Sequence, residues 1–196
     1  ALAEGGRPHS ISLVNVYTPN SGAELARLEY RTGASGWDEK FLAALVAAQA
    51  AGASAVCVGG DLNVAAEAID YHNPHEPRMA LQAGTTPEEQ ASFRRYAEPP
   101  LRLADGFRAR HPGAAGQFTY WSQRARNRPR NRGLRIDYFL LDEALQPSGQ
   151  GKGGKGKGGK GEADGGGALV DVQHLQTLEG SDHCPLLLLL DLGALS

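Results

Sequence analysis

An α/β sandwich is the fold this chain of 196 residues predicts, and three observations predict it. Strand-like runs alternate with helical spacing in the first half. Strand-like runs follow one another directly in the second half, which fits a sandwich better than a fully wound parallel sheet. Three of these runs also adjoin acid-bearing motifs: Gly60-Asp61-Leu62-Asn63 after Ala55–Val58, Arg135-Ile136-Asp137-Tyr138 opening another run, and Gly180-Ser181-Asp182-His183 before Leu186–Leu190.

Ile11–Tyr17 alternates and is rich in β-branched residues, so it reads as a strand. Thr18-Pro19-Asn20-Ser21-Gly22 breaks it as a turn. Leu25, Leu28 and Arg31, then Trp37, Phe41, Leu42 and Leu45, fall at helical spacing. Two helical pieces separated by residues 33–36 fit them, the second ending near Gly52. Ala55–Val58 is a short buried strand running into Gly59-Gly60. Thr86-Pro87-Glu88-Glu89 signals a helix start: Thr86 caps, Pro87 suits the first helical position, and Glu89 reaches back to close a capping box. Pro99-Pro100 ends that helix. Gln117–Ser122, Arg135–Leu141, Val170–Leu175 and Leu186–Leu192 are the remaining predicted strands.

Composition bounds the rest. With 41% apolar and 21% charged residues, the chain supports one domain spanning residues 1–196. A net charge of -2 argues against wholesale coating of nucleic acid, but charge is unevenly placed. Arg124, Arg126, Arg128, Arg130, Arg132 and Arg135 stand together with no acid before Asp137, a local positive field. Cys57 and Cys184 sit beside apolar runs, as buried free thiols of a reducing compartment do. No membrane partner is expected, because Leu186–Leu190 is too short to span a bilayer. Residues 149–167 are almost only Gly and Lys, predicting a disordered basic insertion in a surface connection.

Strand ends deliver their acids to one rim of a sheet, so Asp61, Asn63, Asp137, Asp182 and His183 are predicted to surround one point. That set suits a hard metal ion, an oriented water and a phosphate. A carboxylate beside a carboxamide handles water well, Asp61 taking its proton and Asn63 orienting it. His183 suits a phosphate oxygen, with Asp137 as the carboxylate that fixes its tautomer. Taken singly, each motif also reads as a turn or a strand cap; their coincidence points to phosphodiester chemistry.

These residues resemble the exonuclease III type of apurinic/apyrimidinic endonuclease, in the endonuclease/exonuclease/phosphatase superfamily. The matching stretches are Tyr17–Gly22, Arg27–Arg31, Gly60–Ala65, Ile69-Asp70 with Asn73-Pro74, Asp105–Arg108 with His111-Pro112, Phe118–Ser122, Asn131–Asp137 and Gly180–Pro185. The resemblance implies a four-layer αββα sandwich of the DNase I-like type. It implies Asp61 as catalytic acid/base with Asn63 as its partner, His183 paired with Asp137 on the scissile phosphate, and Tyr17 against that phosphate. Asp61, Asn63, Asp182 and His183 would serve a magnesium site, with manganese as the second choice. Asn20 and Asn73 would line the site, and Tyr120, Leu134 and Ile136 would wall a pocket for a flipped-out baseless sugar, with Trp121 on the same aromatic stretch. Arg124, Arg126 and Arg128 would hold backbone phosphates.

The reaction implied is hydrolysis of double-stranded DNA 5′ to an abasic site, with 3′-exonuclease and 3′-phosphodiesterase activity. The expected protein is a monomer of base-excision repair, in the nucleus first and an organelle second. Nothing matches that family's N-terminal half, which carries a glutamate metal ligand and half of the sandwich, so a fragment of a longer product is expected. Two other readings stay open: a superfamily phosphoesterase acting on inositol phosphates or lipids, and a DNA-binding remnant without catalysis.

Overall fold

The computed structural model describes residues 10–52, 55–146 and 167–195. Four strands make the main sheet: β1 (Ile11–Tyr17), β2 (Ala55–Asp61), β3 (Ala104–Asp105) and β4 (Asp137–Leu141), in the order β1-β2-β4-β3. β1 runs parallel to β2, whereas β2–β4 and β3–β4 are antiparallel. β5 (Leu169–His174) and β6 (Leu186–Leu190) form a separate antiparallel pair. The described α-helices are α1 (Leu28–Thr32), α2 (Trp37–Ala50), α3 (Pro87–Arg94) and α4 (Gly106–Arg110).

Alternation along β2 explains the layering. Val56 and Val58 pack with Leu42 and Leu45 of α2 and with Tyr138 and Leu140 of β4. Ala55 and Cys57 belong to the opposite cluster, with Phe107 of α4 and Leu169 and Val172 of β5. Helices thus cover one face of the main sheet, while α4 and the β5–β6 pair cover part of the other. Truncating Leu45, 1% exposed, to Ala would cost about 2–5 kcal/mol. The close approach of β1 needs glycine at position 60, where φ is +134° and an added Cβ would lie 2.1 Å from the Val16 carbonyl oxygen.

The capping box forms as the sequence predicts: the Thr86 hydroxyl accepts from the Glu89 N–H at 3.2 Å, and Glu89 Oε2 accepts from the Thr86 N–H at 3.2 Å. Cys57 and Cys184 are buried and free. Two expectations need correction. Gln117–Ser122 is not a strand; Tyr120 makes only single-residue bridges, to Leu134 and to His183, and Thr119 spends its hydroxyl on the N–H groups of Ile136 and Asp137. The strand predicted from Arg135 begins at Asp137, because Arg135 is drawn into a buried ion pair with Asp70. The sequence also left β3 and α4 unread; Asp105 ends one and caps the other, its Oδ1 accepting from the Arg108 N–H at 3.2 Å. The Gly/Lys insertion at 149–167 lies outside the described residues, save for Gly167.

Register places chemistry at one rim. Tyr17 of β1 stands beside Asp61 of β2, and Asp61 stands directly opposite Asp137 of β4. Two like charges in that relation repel, so the arrangement costs stability unless something else uses it.

Candidate active site

Asp61, at the end of β2, accepts from the backbone N–H of Asn63 at 2.8 Å and from Asn63 Nδ2 at 3.0 Å. The same Nδ2 donates to the Thr18 carbonyl at 2.8 Å, and Asn63 Oδ1 accepts from Asn20 Nδ2 at 2.8 Å. Asn63 itself adopts a left-handed backbone, φ 49°. Across the rim, His183 Nδ1 lies 2.8 Å from Asp137 Oδ2. That contact leaves Nε2 as the ring nitrogen available to a substrate. The Tyr120 ring packs 5.1 Å from the imidazole.

These groups open onto a cavity of about 580 Å³. Its polar side holds Tyr17, Asn20, Asp61, Asn63, Asp182 and His183; its apolar side holds Leu134 and Ile136, beside Tyr120. Leu134 and Ile136 are fixed there by packing with Ala65 and Met79.

The electrostatics follow from burial and the facing carboxylates. Burial pushes the Asp61 carboxyl up, and the charge of Asp137 adds to it, to a pKa of about 6. The Asn63 N–H and the charges of His183 and Arg31 hold it back from rising further. For His183, burial opposes the charged form, but the hydrogen bond and charge of Asp137, with the charges of Asp61 and Asp182, outweigh it and raise the pKa.

Asp61, Asp137 and His183 each offer a donor atom within 4.8 Å of the others, a group that could hold a divalent cation. Two of the three donors are carboxylate oxygens, which favours a hard ion. Asp182 lines the cavity but falls outside this trio. Asn63 turns its amide nitrogen, not its oxygen, toward Asp61, so its expected place as a metal ligand does not match its hydrogen bonds.

Other expected substrate contacts are placed elsewhere. Trp121 is 2% exposed and packs with Phe118 and Cys184; its backbone N–H holds the Asp182 carbonyl at 2.8 Å, so it supports the Ser-Asp-His loop from behind. Asn73 turns in a left-handed conformation next to the cavity, and its neighbour His72 supplies the lining. Arg124 and Arg126 are exposed outside the cavity lining. Arg128 lies 4.6 Å over the Trp121 ring and donates to the carbonyls of Ser181, Gln176 and Leu178, so its guanidinium serves structure. Arg132 is the arginine of that run that reaches the cavity. The sequence grouped Arg132 with its neighbours but held no signal to choose it, since the choice depends on how residues 122–133 turn.

The whole chain can be compared with known proteins. The model of the Endonuclease/Exonuclease/phosphatase family matches residues 6–183. The DNA repair nuclease APEX1 of Danio rerio is 36% identical over 178 residues, covering 91% of this chain and 48% of that protein. An exodeoxyribonuclease of Bacillus subtilis is 33% identical over 183 residues, covering 93% of this chain and 61% of that protein. The chain therefore spans about half the length of the curated relatives it matches. Among solved structures, the AP endonuclease LMAP of Leishmania major superposes with a TM-score of 0.73 at 33% identity, over 92% of this chain and 50% of that one. The catalytic domain of Xenopus laevis APE2, at 22% identity and a TM-score of 0.69, shares the fold. With its two packed sheets, its flanking helices and its match over residues 6–183, the chain belongs to the endonuclease/exonuclease/phosphatase family.

Proposed function

We propose that this chain carries the catalytic rim of a DNA-repair nuclease, which hydrolyses the phosphodiester 5′ to an abasic site and trims 3′ ends. The observation that carries the reading is the meeting of Asp61, Asn63, Asp137 and His183, from three separated stretches, on one cavity with an apolar back wall. The relatives whose names specify AP endonuclease or exodeoxyribonuclease activity support it.

Asp61 accepts the proton of the attacking water. With a pKa near 6 it is ionised at neutral pH yet basic enough to take that proton. Asn63, anchored by Thr18 and Asn20, stands 3.0 Å from that carboxylate and orients the water. His183, held by Asp137 and biased toward its charged form, donates from Nε2 to a phosphate oxygen. Tyr17, next to Asp61 at the rim, contacts the same phosphate. Leu134, Ile136 and Tyr120 form a wall that suits a sugar without its base. Asp61 and Asp137, with Asp182 close by, would hold magnesium or manganese, which when bound supplies Lewis-acid stabilisation of charge on the phosphate. The two buried thiols and the DNA substrate fit a reducing, DNA-containing compartment, the nucleus or an organelle. Among the described residues no helix is long and apolar enough to cross a membrane.

The test is incision of a duplex containing a tetrahydrofuran abasic analogue, with magnesium, by wild type, Asp61→Ala and His183→Ala. Metal-dependent cutting by wild type that both variants lose supports the reading. Equal cutting by all three sinks the assigned roles, and faster release of phosphate from a small ester than cleavage of DNA sinks the substrate.

A further inference from the structure

We propose that Arg31 and Glu89 form a buried positioning pair that fixes Asn63, and through it Asp61, in reactive geometry. The inference rests on the nuclease reading above, but its structural part stands alone. Arg31 is 2% exposed and Glu89 0%. Arg31 NH1 donates to the Asn63 carbonyl at 2.7 Å and to Glu89 Oε1 at 2.9 Å; NH2 donates to the Leu62 carbonyl at 2.6 Å. The guanidinium thus grips two consecutive carbonyls of the loop that follows Asp61, at the residue with the left-handed backbone. Such a conformation persists where its surroundings over-determine it.

Capping of α3 does not account for Glu89. Oε2 alone serves the cap, accepting from the N–H and hydroxyl of Thr86. Oε1 turns away, to Arg31 and to the Ser21 hydroxyl at 2.6 Å. Oε2 also takes the Gly84 N–H at 2.7 Å, and the Gly84 carbonyl accepts from the Ala65 N–H at 2.7 Å. One carboxylate therefore ties together the segments carrying Asn20, Asn63 and Gly84, three walls of the same cavity. A fully buried ion pair stabilises a fold no better than apolar packing of equal volume. Its use here is geometric: it joins α1 and α3 to the loop that aims the Asp61–Asn63 pair.

The experiment uses Arg31→Lys and Glu89→Gln, each alone and combined with Asn63→Ala, on the tetrahydrofuran duplex. A positioning role predicts that kcat falls about 10- to 100-fold with KM unchanged, since small misplacement of reacting groups has effects of that size. The same substitutions cost less beside Asn63→Ala than alone, because the part that acts through the Asn63 side chain is already lost while the part that acts through its backbone remains. Amide exchange at Asn63, whose N–H bonds Asp61, rises while β2 stays protected. Losses that persist undiminished beside Asn63→Ala, or exchange that rises uniformly, overturn the proposal. Should both variants fail to fold, Ser21→Ala, which removes a single link to Glu89, carries the same readouts. If the wild type cleaves no phosphodiester the functional reading falls, and the exchange experiment still decides the positioning role.

Discussion

Asp61 lines the active-site cavity and Asp70 is buried outside it, and the protein treats these two carboxylates oppositely. Asp70 is fully buried and accepts from Arg135 Nε at 2.8 Å, Arg135 NH2 at 3.0 Å and Arg108 NH2 at 2.5 Å. Burial alone would raise its pKa, but the hydrogen bonds and charges of Arg135 and Arg108 prevail and lower it. Asp61 faces another carboxylate instead, and the guanidinium behind it, Arg31, donates to backbone carbonyls and Glu89. Its pKa rises to about 6. Where a guanidinium touches the carboxylate, the result is a structural joint. Where it is held one residue away, a base is left ready to take a proton.

The largest effects should separate the two sites by what they disturb. Asp61→Asn and His183→Ala are expected to lower kcat by about 10²- to 10⁴-fold, with the unfolding midpoint in urea no lower than wild type for Asp61→Asn and only slightly lower for His183→Ala, which leaves Asp137 without its partner. Single-turnover incision and equilibrium unfolding check the pair of claims. A large loss of stability at either residue would erase the distinction.

Asp70→Asn should do the reverse. It leaves Arg135 and Arg108 without their shared partner, with Asp105 as the remaining carboxylate on Arg135 at 2.6 Å. The expected cost is about 3–5 kcal/mol of stability, a drop of roughly 10 °C in Tm for a chain of this size. Activity of the folded fraction in the cold should stay within a few-fold of wild type. Thermal scans and cold assays would break the comparison if the variant proved inactive yet stable.

The sequence shows one of these sites far better than the other. Asp61, Asn63, Asp137 and His183 each adjoin an apolar run, so strand geometry alone brings them to one rim. The Asp70 joint depends on Arg135 leaving the strand pattern and on α4, which the five residues Gly106–Arg110 signal too briefly to read. The same limit hid the inward turn of Trp121. Its aromatic stretch suggested a strand with one open face, whereas bridges on both sides of Tyr120 enclose it. Local signals such as the Thr86–Glu89 box were legible, but the second partner of Glu89, 58 residues away, was not. Arginines and carboxylates paired over such distances leave no periodic trace.

The two aspartates should also respond oppositely to pH. Asp61 has a folded pKa raised from 3.8 to about 6, so below pH 4 it is protonated in both states and without effect. Between pH 4 and 6 the folded state holds the extra proton, and stability falls as pH rises, by no more than about 3 kcal/mol. Asp70, with a lowered pKa, contributes stability above its unfolded value of 3.8 and loses it as pH falls through the folded one. Metal-free unfolding of wild type and Asp61→Asn from pH 4 to 8 tests this. The variant should lack the decline between pH 4 and 6 and be the more stable above it; parallel curves would refute the assignment. In the incision assay the rate should rise with pH as the Asp61 carboxyl gives up its proton, at a pH that bound magnesium lowers.

The smallest effect sharpens the contrast with a second matched pair, two arginines of one run. Arg128 spends its donors on three carbonyls and lies over Trp121, whereas Arg132 is exposed and borders the cavity. If contact with a guanidinium's own protein decides its use, Arg132 is the one of this pair left to meet DNA. Arg132→Ala should weaken duplex binding about threefold to tenfold and reduce the slope of log K against log salt by about 1, the signature of one lost phosphate contact. Arg128→Ala should leave that slope unchanged and instead lower Tm by a few degrees, through loss of the strap on the Ser181–His183 loop. Binding titrations between 50 and 200 mM salt distinguish the two. A slope that falls for Arg128→Ala and holds for Arg132→Ala would mean that the two arginines exchange roles when DNA arrives, and that the division between joint and working charge is made by the substrate.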